Sequence, residues 1–134
     1  MVGNEMEKEG MYNFLLVSPR AGELADFTAA LAAQPDITLK QVDTGGAMLQ
    51  FIQEKSPHLV ILDQEINDRD SLELVNEILQ VNAMINSTMI SSMDAETWHE
   101  KSEGLGMMPP VPDPPTEKDA LALLENFRGM PGLS

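Results

Sequence analysis

The chain has 134 residues, 43% of them hydrophobic, which suits one globular domain with a true core. A formal charge of −14 sets it against phosphate backbones and anionic membrane surfaces, so neither nucleic acid nor membrane is an expected partner. With no cysteine there are no disulfides, thiolate metal sites or cysteine nucleophiles, and the ten methionines read mostly as core filler.

Residues 1–11 are acidic and contain no apolar core segment, so they are expected to form a disordered lead and not a signal peptide. No apolar run approaches the ~20 residues of a membrane span, which makes the cytoplasm the expected location. Phe14-Leu15-Leu16-Val17 reads as a first buried strand closed by Ser18-Pro19. A helix over 22–33 carries Leu24, Phe27, Ala30 and Leu31 on one face, and Gln34-Pro35-Asp36 breaks it. A second strand over 37–42 has the mixed pattern of an edge.

Asp43-Thr44-Gly45-Gly46 reads as a turn, since a lone pair of glycines is weak grounds for a phosphate cradle. A helix over 47–55 turns Met48, Leu49 and Ile52 inward, and Ser56-Pro57 stops it. His58 reads as a surface loop residue before the third strand. It shares no metal-ligand spacing with His99, which has no assigned role.

The stretch HLVILDQEINDRDSLELVNEIL, residues 58–79, is the most informative. Leu59-Val60-Ile61-Leu62 is a short continuous apolar run, as in a strand buried on both faces of a parallel sheet. It ends in Asp63, at the carboxyl end of the strand, where open α/β sheets keep their working groups. Asp70 is an N-cap candidate with Glu73 three residues on, opening a helix striped by Leu72, Val75, Ile78 and Leu79.

A fourth strand covers 87–90. Asp94 caps a fourth helix to about Glu103, polar almost all round and expected to be weakly held or to cover a partner surface. Trp98, the only tryptophan, sits on it, either half-buried against the sheet or exposed as a partner hot spot. Met107-Met108-Pro109-Pro110-Val111 reads as a fifth strand whose prolines place it at a sheet edge or turn it polyproline-like. Thr116-Glu117-Lys118-Asp119 is a capping signature for a last helix with Leu121, Leu124 and Phe127 inward, followed by a loose tail over 129–134. Strands alternating with helices indicate right-handed βαβ crossovers. The expectation is one α/β domain over 12–128, a flavodoxin-like, CheY-like doubly wound parallel sheet of five strands in the order 2-1-3-4-5.

VILDQEINDRDSLELVNEIL, KSEGLG and the spacing around them resemble the receiver domain of bacterial two-component response regulators over nearly all of 13–128. The resemblance implies phosphoryl transfer from a histidine kinase or phosphotransfer partner to one aspartate. Its site has an acidic pair that holds a divalent metal, a metal-binding carbonyl two residues after the acceptor, a Thr or Ser after strand four and a Lys after strand five. Asp63 falls on the acceptor, Ser91 on the phosphoryl contact and Glu65 on the metal-binding carbonyl. The acidic pair falls on Ser18 and Pro19, the lysine on Asp113 and the switch aromatic on Pro110.

Asp63 alone would hold Mg²⁺ weakly, and Asp113 would add a like charge beside it unless the two carboxylates grip a cation together. The expectation is therefore a degenerate receiver, not an enzyme, acting through protein partners. Those would be a histidine kinase, a separate output protein or a second copy, met through the fourth helix, fifth strand and fifth helix. A working phosphoacceptor on Asp63 is the alternative. A flavin-like ligand, its phosphate facing Ser18-Pro19-Arg20-Ala21-Gly22, ranks last, because 4% aromatic residues leave little to hold the ring.

Overall fold

The computed structural model describes residues 12–130. The expected loose lead at 1–11, and residues 131–134 of the tail expected over 129–134, lie outside them. The strands are β1 (Tyr12–Val17), β2 (Ile37–Val42), β3 (Leu59–Asp63), β4 (Asn86–Ser91) and β5 (Val111–Pro112). The helices are α1 (Ala25–Ala32), α2 (Gly45–Glu54), α3 (Ser71–Val81), α4 (Ala95–Ser102) and α5 (Glu117–Arg128), with a 3-10 turn, Ala21–Leu24, ahead of α1. All strands pair in parallel in the order β2-β1-β3-β4-β5, which is the expected topology.

Alternate residues of the central strands feed two cores. Phe14, Leu16, Leu59 and Ile61 face α1 and α5, where Phe27, Leu31, Leu124 and Phe127 meet them. Leu15, Val17, Val60 and Leu62 face α2, α3 and α4, against Met48, Ile52, Val75, Ile78 and Trp98. All five residues of β3 are buried, which explains its unbroken apolar run. Phe127 stands edge-on to Phe14 at 4.8 Å and to Tyr12 at 5.3 Å, pinning α5 to the sheet.

Several boundaries fall elsewhere than the sequence pattern places them. The Gly45-Gly46 pair is the first turn of α2, not a loop. Thr44 caps that helix by accepting from the Ala47 amide, and the Gly45 and Gly46 amides donate to the two carboxylate oxygens of Asp68 at 2.9 and 3.1 Å. Those bonds hold the Asp68 carboxyl below the usual range. A Cβ on Gly45 would stand 2.9 Å from Leu74 Cδ1, so the absence of a side chain lets α2 and α3 approach. β5 spans two residues, because Pro109, Pro110 and Pro112 carry no N–H for a longer ladder. The preceding segment stays tied to β4 by Met108 N–H donating to Ser87 O and Thr88 Oγ1 donating to Pro109 O.

The caps on α3 and α4 fall on Asp70 and Asp94 as the pattern predicts, and Thr116 and Asp119 complete a capping box on α5. Gly129 ends α5 as its C-cap and Met130 packs on the core, so the tail does not begin at 129. Leu121 is 50% exposed, and Ala120 and Leu123 take the inward positions beside Leu124 and Phe127. His58 is half-buried rather than a free loop residue. Its Nδ1 accepts from the Asn13 amide, and burial lowers its pKa.

Trp98 is 8% exposed and belongs to the core beneath α4. Its side chain is a packing anchor for an otherwise polar helix, not an exposed hot spot. Trp98→Ala should cost about 3–5 kcal/mol in urea unfolding followed by circular dichroism. Leu121→Ala should stay within about 0.5 kcal/mol of wild type. Equal effects of the two would contradict the burial described.

Candidate functional site

The site forms where the carboxyl ends of β1 and β3 lie side by side, the point at which the strand order reverses. Asp63 is fully buried there. Ser18, also fully buried, follows β1 and sets the geometry with one hydroxyl. Its Oγ donates to Asp63 Oδ2 at 2.7 Å and accepts from the Arg20 amide at 3.0 Å. The second bond folds the chain after Pro19 so that Arg20 turns back over the strand ends. The Arg20 amide is thereby spent on Ser18 and is not free for a ligand phosphate.

The Arg20 guanidinium makes a fork on Asp63, with Nε donating to Oδ2 at 2.7 Å and Nη2 to Oδ1 at 2.9 Å. Paired, planar bonds of this kind are the strongest a carboxylate receives from a side chain. Nη2 also donates to Asp113 Oδ1 at 2.9 Å, and Nη1 lies 3.7 Å from Glu65 Oε2. The Glu65 amide adds a fourth bond, to Asp63 Oδ1 at 3.1 Å. The other oxygen of Asp113 accepts from Gln64 Nε2 at 2.8 Å, and Gln64 Oε1 accepts from the Ser92 amide at 2.9 Å. Ser71 Oγ donates to the Asp63 carbonyl at 2.8 Å. Loops after β1, β3, β4 and β5 are thereby joined in one network.

Burial opposes the charge on Asp63, yet the bonds from Arg20, Ser18 and the Glu65 amide outweigh it and hold the carboxyl below its usual range. The Asp63 bond raises Arg20 above its already high value, burial works against it, and Asp113 adds to the rise.

Two expected neighbours meet as the sequence numbering suggests. Asp113 does stand beside Asp63, but Arg20, which the sequence comparison left unassigned, lies between them and turns a like-charge pair into a bridged one. Ser91 is buried at the end of β4, and its Oγ accepts from the Met93 amide at 3.1 Å. Glu65 presents its amide to Asp63, while its own side chain is 59% exposed. Pro110 lies just before β5, beside an open hollow lined by Ser91, Ser92, Met93, Pro112 and Asp113. Trp98 is remote from this cluster in role, being core.

The fold matches receiver domains in solved structures. A chemotaxis response regulator of Vibrio cholerae superposes with a TM-score of 0.77 at 13% identity, over 87% of this chain and 98% of that one. The signal receiver domain of a putative response regulator from Mycobacterium tuberculosis gives 0.75 at 16%, over 89% and 98%. A CheY-like receiver domain protein from Methanospirillum hungatei gives 0.74 at 17%, over 87% and 94%. The chain has the receiver fold. No protein-family model matches the sequence, and no curated protein matches it.

The receiver fold carries with it the question of a divalent metal. The residues here do not fit one. Ser18 and Pro19 supply no carboxylate, and a guanidinium fills the space between Asp63, Asp113 and Glu65. Among the described residues no group of three or more His, Cys, Asp and Glu side chains is arranged to hold a metal ion. No step through a metal follows from this site. Among the same residues, no helix is long and apolar enough to cross a membrane.

The low pKa of Asp63 has a signed consequence. Its folded value lies below the unfolded value of about 3.9, so its four bonds contribute fully above that pH and are lost as pH falls through the folded value. Stability should therefore fall more steeply for wild type than for Asp63→Asn between about pH 5 and pH 2 in urea titrations. Parallel curves would mean that Asp63 is not held in its charged form.

Proposed function

We propose that this chain is a signalling module of the receiver type that acts through protein contacts and not through a phosphorylated Asp63. One observation carries the proposal: all four acceptor positions of the Asp63 carboxylate are occupied, by Arg20 Nε and Ser18 on one oxygen and by Arg20 Nη2 and the Glu65 amide on the other. A carboxylate that attacks a phosphoryl donor needs a free lone pair and a mobile cation to neutralise the transferred oxygens. Here the cation is covalently part of the chain and already committed to the nucleophile.

The response regulators and receiver domains among the structural neighbours support a place in signal transduction. Its partners are then proteins: a histidine kinase, a separate output protein or a second copy. The face formed by α4, β5 and α5 is the contact surface in this proposal. Exposed Glu96, His99 and Glu100 would meet the partner's polar groups and Leu121 its apolar ones. No turnover of a substrate is part of the role.

Intact mass after incubation with acetyl phosphate and Mg²⁺, with Asp63→Asn alongside, is the test. The expected result is no adduct on a folded sample. A phosphate adduct on wild type that disappears in Asp63→Asn would overturn the proposal and make this a working phosphoacceptor.

A further inference from the structure

We infer that Arg20, Asp113 and Gln64 form a latch that links the buried Asp63 to the contact face and holds the two walls of the hollow beside β5 at a fixed separation. The inference rests on the reading above only in taking α4, β5 and α5 as that face. One wall is the segment after β4, with Ser92, and the other is the segment around β5, with Pro112 and Asp113. Prolines at 112, 114 and 115 leave Asp113 with the one backbone N–H between 112 and 115. Backbone bonds are therefore scarce on this wall, and the Asp113 carboxylate ties it down instead.

That carboxylate is gripped from two sides. Arg20 Nη2 donates to Asp113 Oδ1 and to Asp63 Oδ1, each at 2.9 Å, so Asp113 is held by a group whose own place is set by the fork on Asp63. Asp113 Oδ2 accepts from Gln64 Nε2 at 2.8 Å. This bond decides which way the Gln64 carboxamide lies. With its NH₂ on Asp113, its oxygen faces the Ser92 amide and accepts from it at 2.9 Å. The reverse orientation would set donor against donor. The Gln64 backbone is fixed by its own amide, which donates to Ile90 O at 3.1 Å, so the side chain is the part that can turn. Ser92 thus follows the position of Asp113 through Gln64, and a partner that draws one wall aside loosens the other.

Amide hydrogen exchange followed by NMR on the full chain tests the latch. Asp113→Ala and Gln64→Ala are each expected to speed exchange of the Ser92 amide about fivefold or more. The double variant should exchange no faster than either single one, since both remove the same link. The Thr97 amide, bound to Asp94 Oδ1 at the start of α4, should keep its wild-type rate. Arg20→Lys keeps a charge for Asp63 but lacks the planar fork that reaches both carboxylates, and it should speed Ser92 as well. An unchanged Ser92 rate in Asp113→Ala or in folded Arg20→Lys would overturn the inference. So would single effects that multiply in the double variant, or a rise of the same size at Thr97. A phosphate adduct on Asp63 bears on the reading above and not on these rates, so the two can fail separately.

Discussion

A buried carboxylate at the end of the central strand is the constraint around which the rest of the molecule is arranged. β3 is enclosed on both faces, so Asp63 has no water to turn to. An isolated ion in such a place would cost several kcal/mol. It stays charged because a fork from Arg20, a hydroxyl from Ser18 and an amide from Glu65 converge on it, and among the described residues no buried side-chain polar atom is left unpartnered. Loss of Arg20 would leave Asp63 and Asp113 without their shared cation, whereas loss of Ser18 or the Glu65 amide would remove one neutral donor from a charge that stays paired.

The topology makes that convergence possible. β1 and β3 are adjacent, but the chain leaves them toward opposite faces, so their carboxyl ends open a crevice that neither helix layer fills. Short loops from four strands end there. Those after β1 and β3 contribute two residues each and those after β4 and β5 one each, and the Gln64 side-chain amide carries the network on from Asp113 to Ser92 at the head of the loop before α4. On the opposite side of the same loop after β3, Asp68 closes the start of α2. The acidic segment between β3 and α3 is therefore held at both of its ends by donors from elsewhere in the chain.

Much of this was legible beforehand. Continuous apolar runs, caps at Asp70, Asp94 and Thr116, and the breaks at Pro35 and Pro57 are local signals, and local chemistry fixes them. The strand order follows from alternation of strands and helices. What escaped was long-range. Arg20 lies 43 residues from Asp63, and nothing near it in sequence says that a serine two residues back will fold it inward. Position-by-position comparison looked for carboxylates at Ser18 and Pro19 and so stopped one residue short of the group that replaces them. Trp98 was ambiguous because one large ring can anchor a helix whose other residues are nearly all polar. Leu121 misled because Ala120 and Leu123, on the adjoining stripe, are the better fit to the sheet.

The run of prolines beside β4 has a bearing on aggregation. An outermost strand usually offers a row of free amide donors, a template on which another chain can add itself. Between residues 108 and 112, three of five positions are proline and have none to offer, while the Met108 amide is already bound to Ser87. That border of the sheet is chemically blunt. A molecule that approaches it meets side chains and proline rings with few backbone donors between them, so this border can stay uncovered with less risk that further copies add themselves to the sheet.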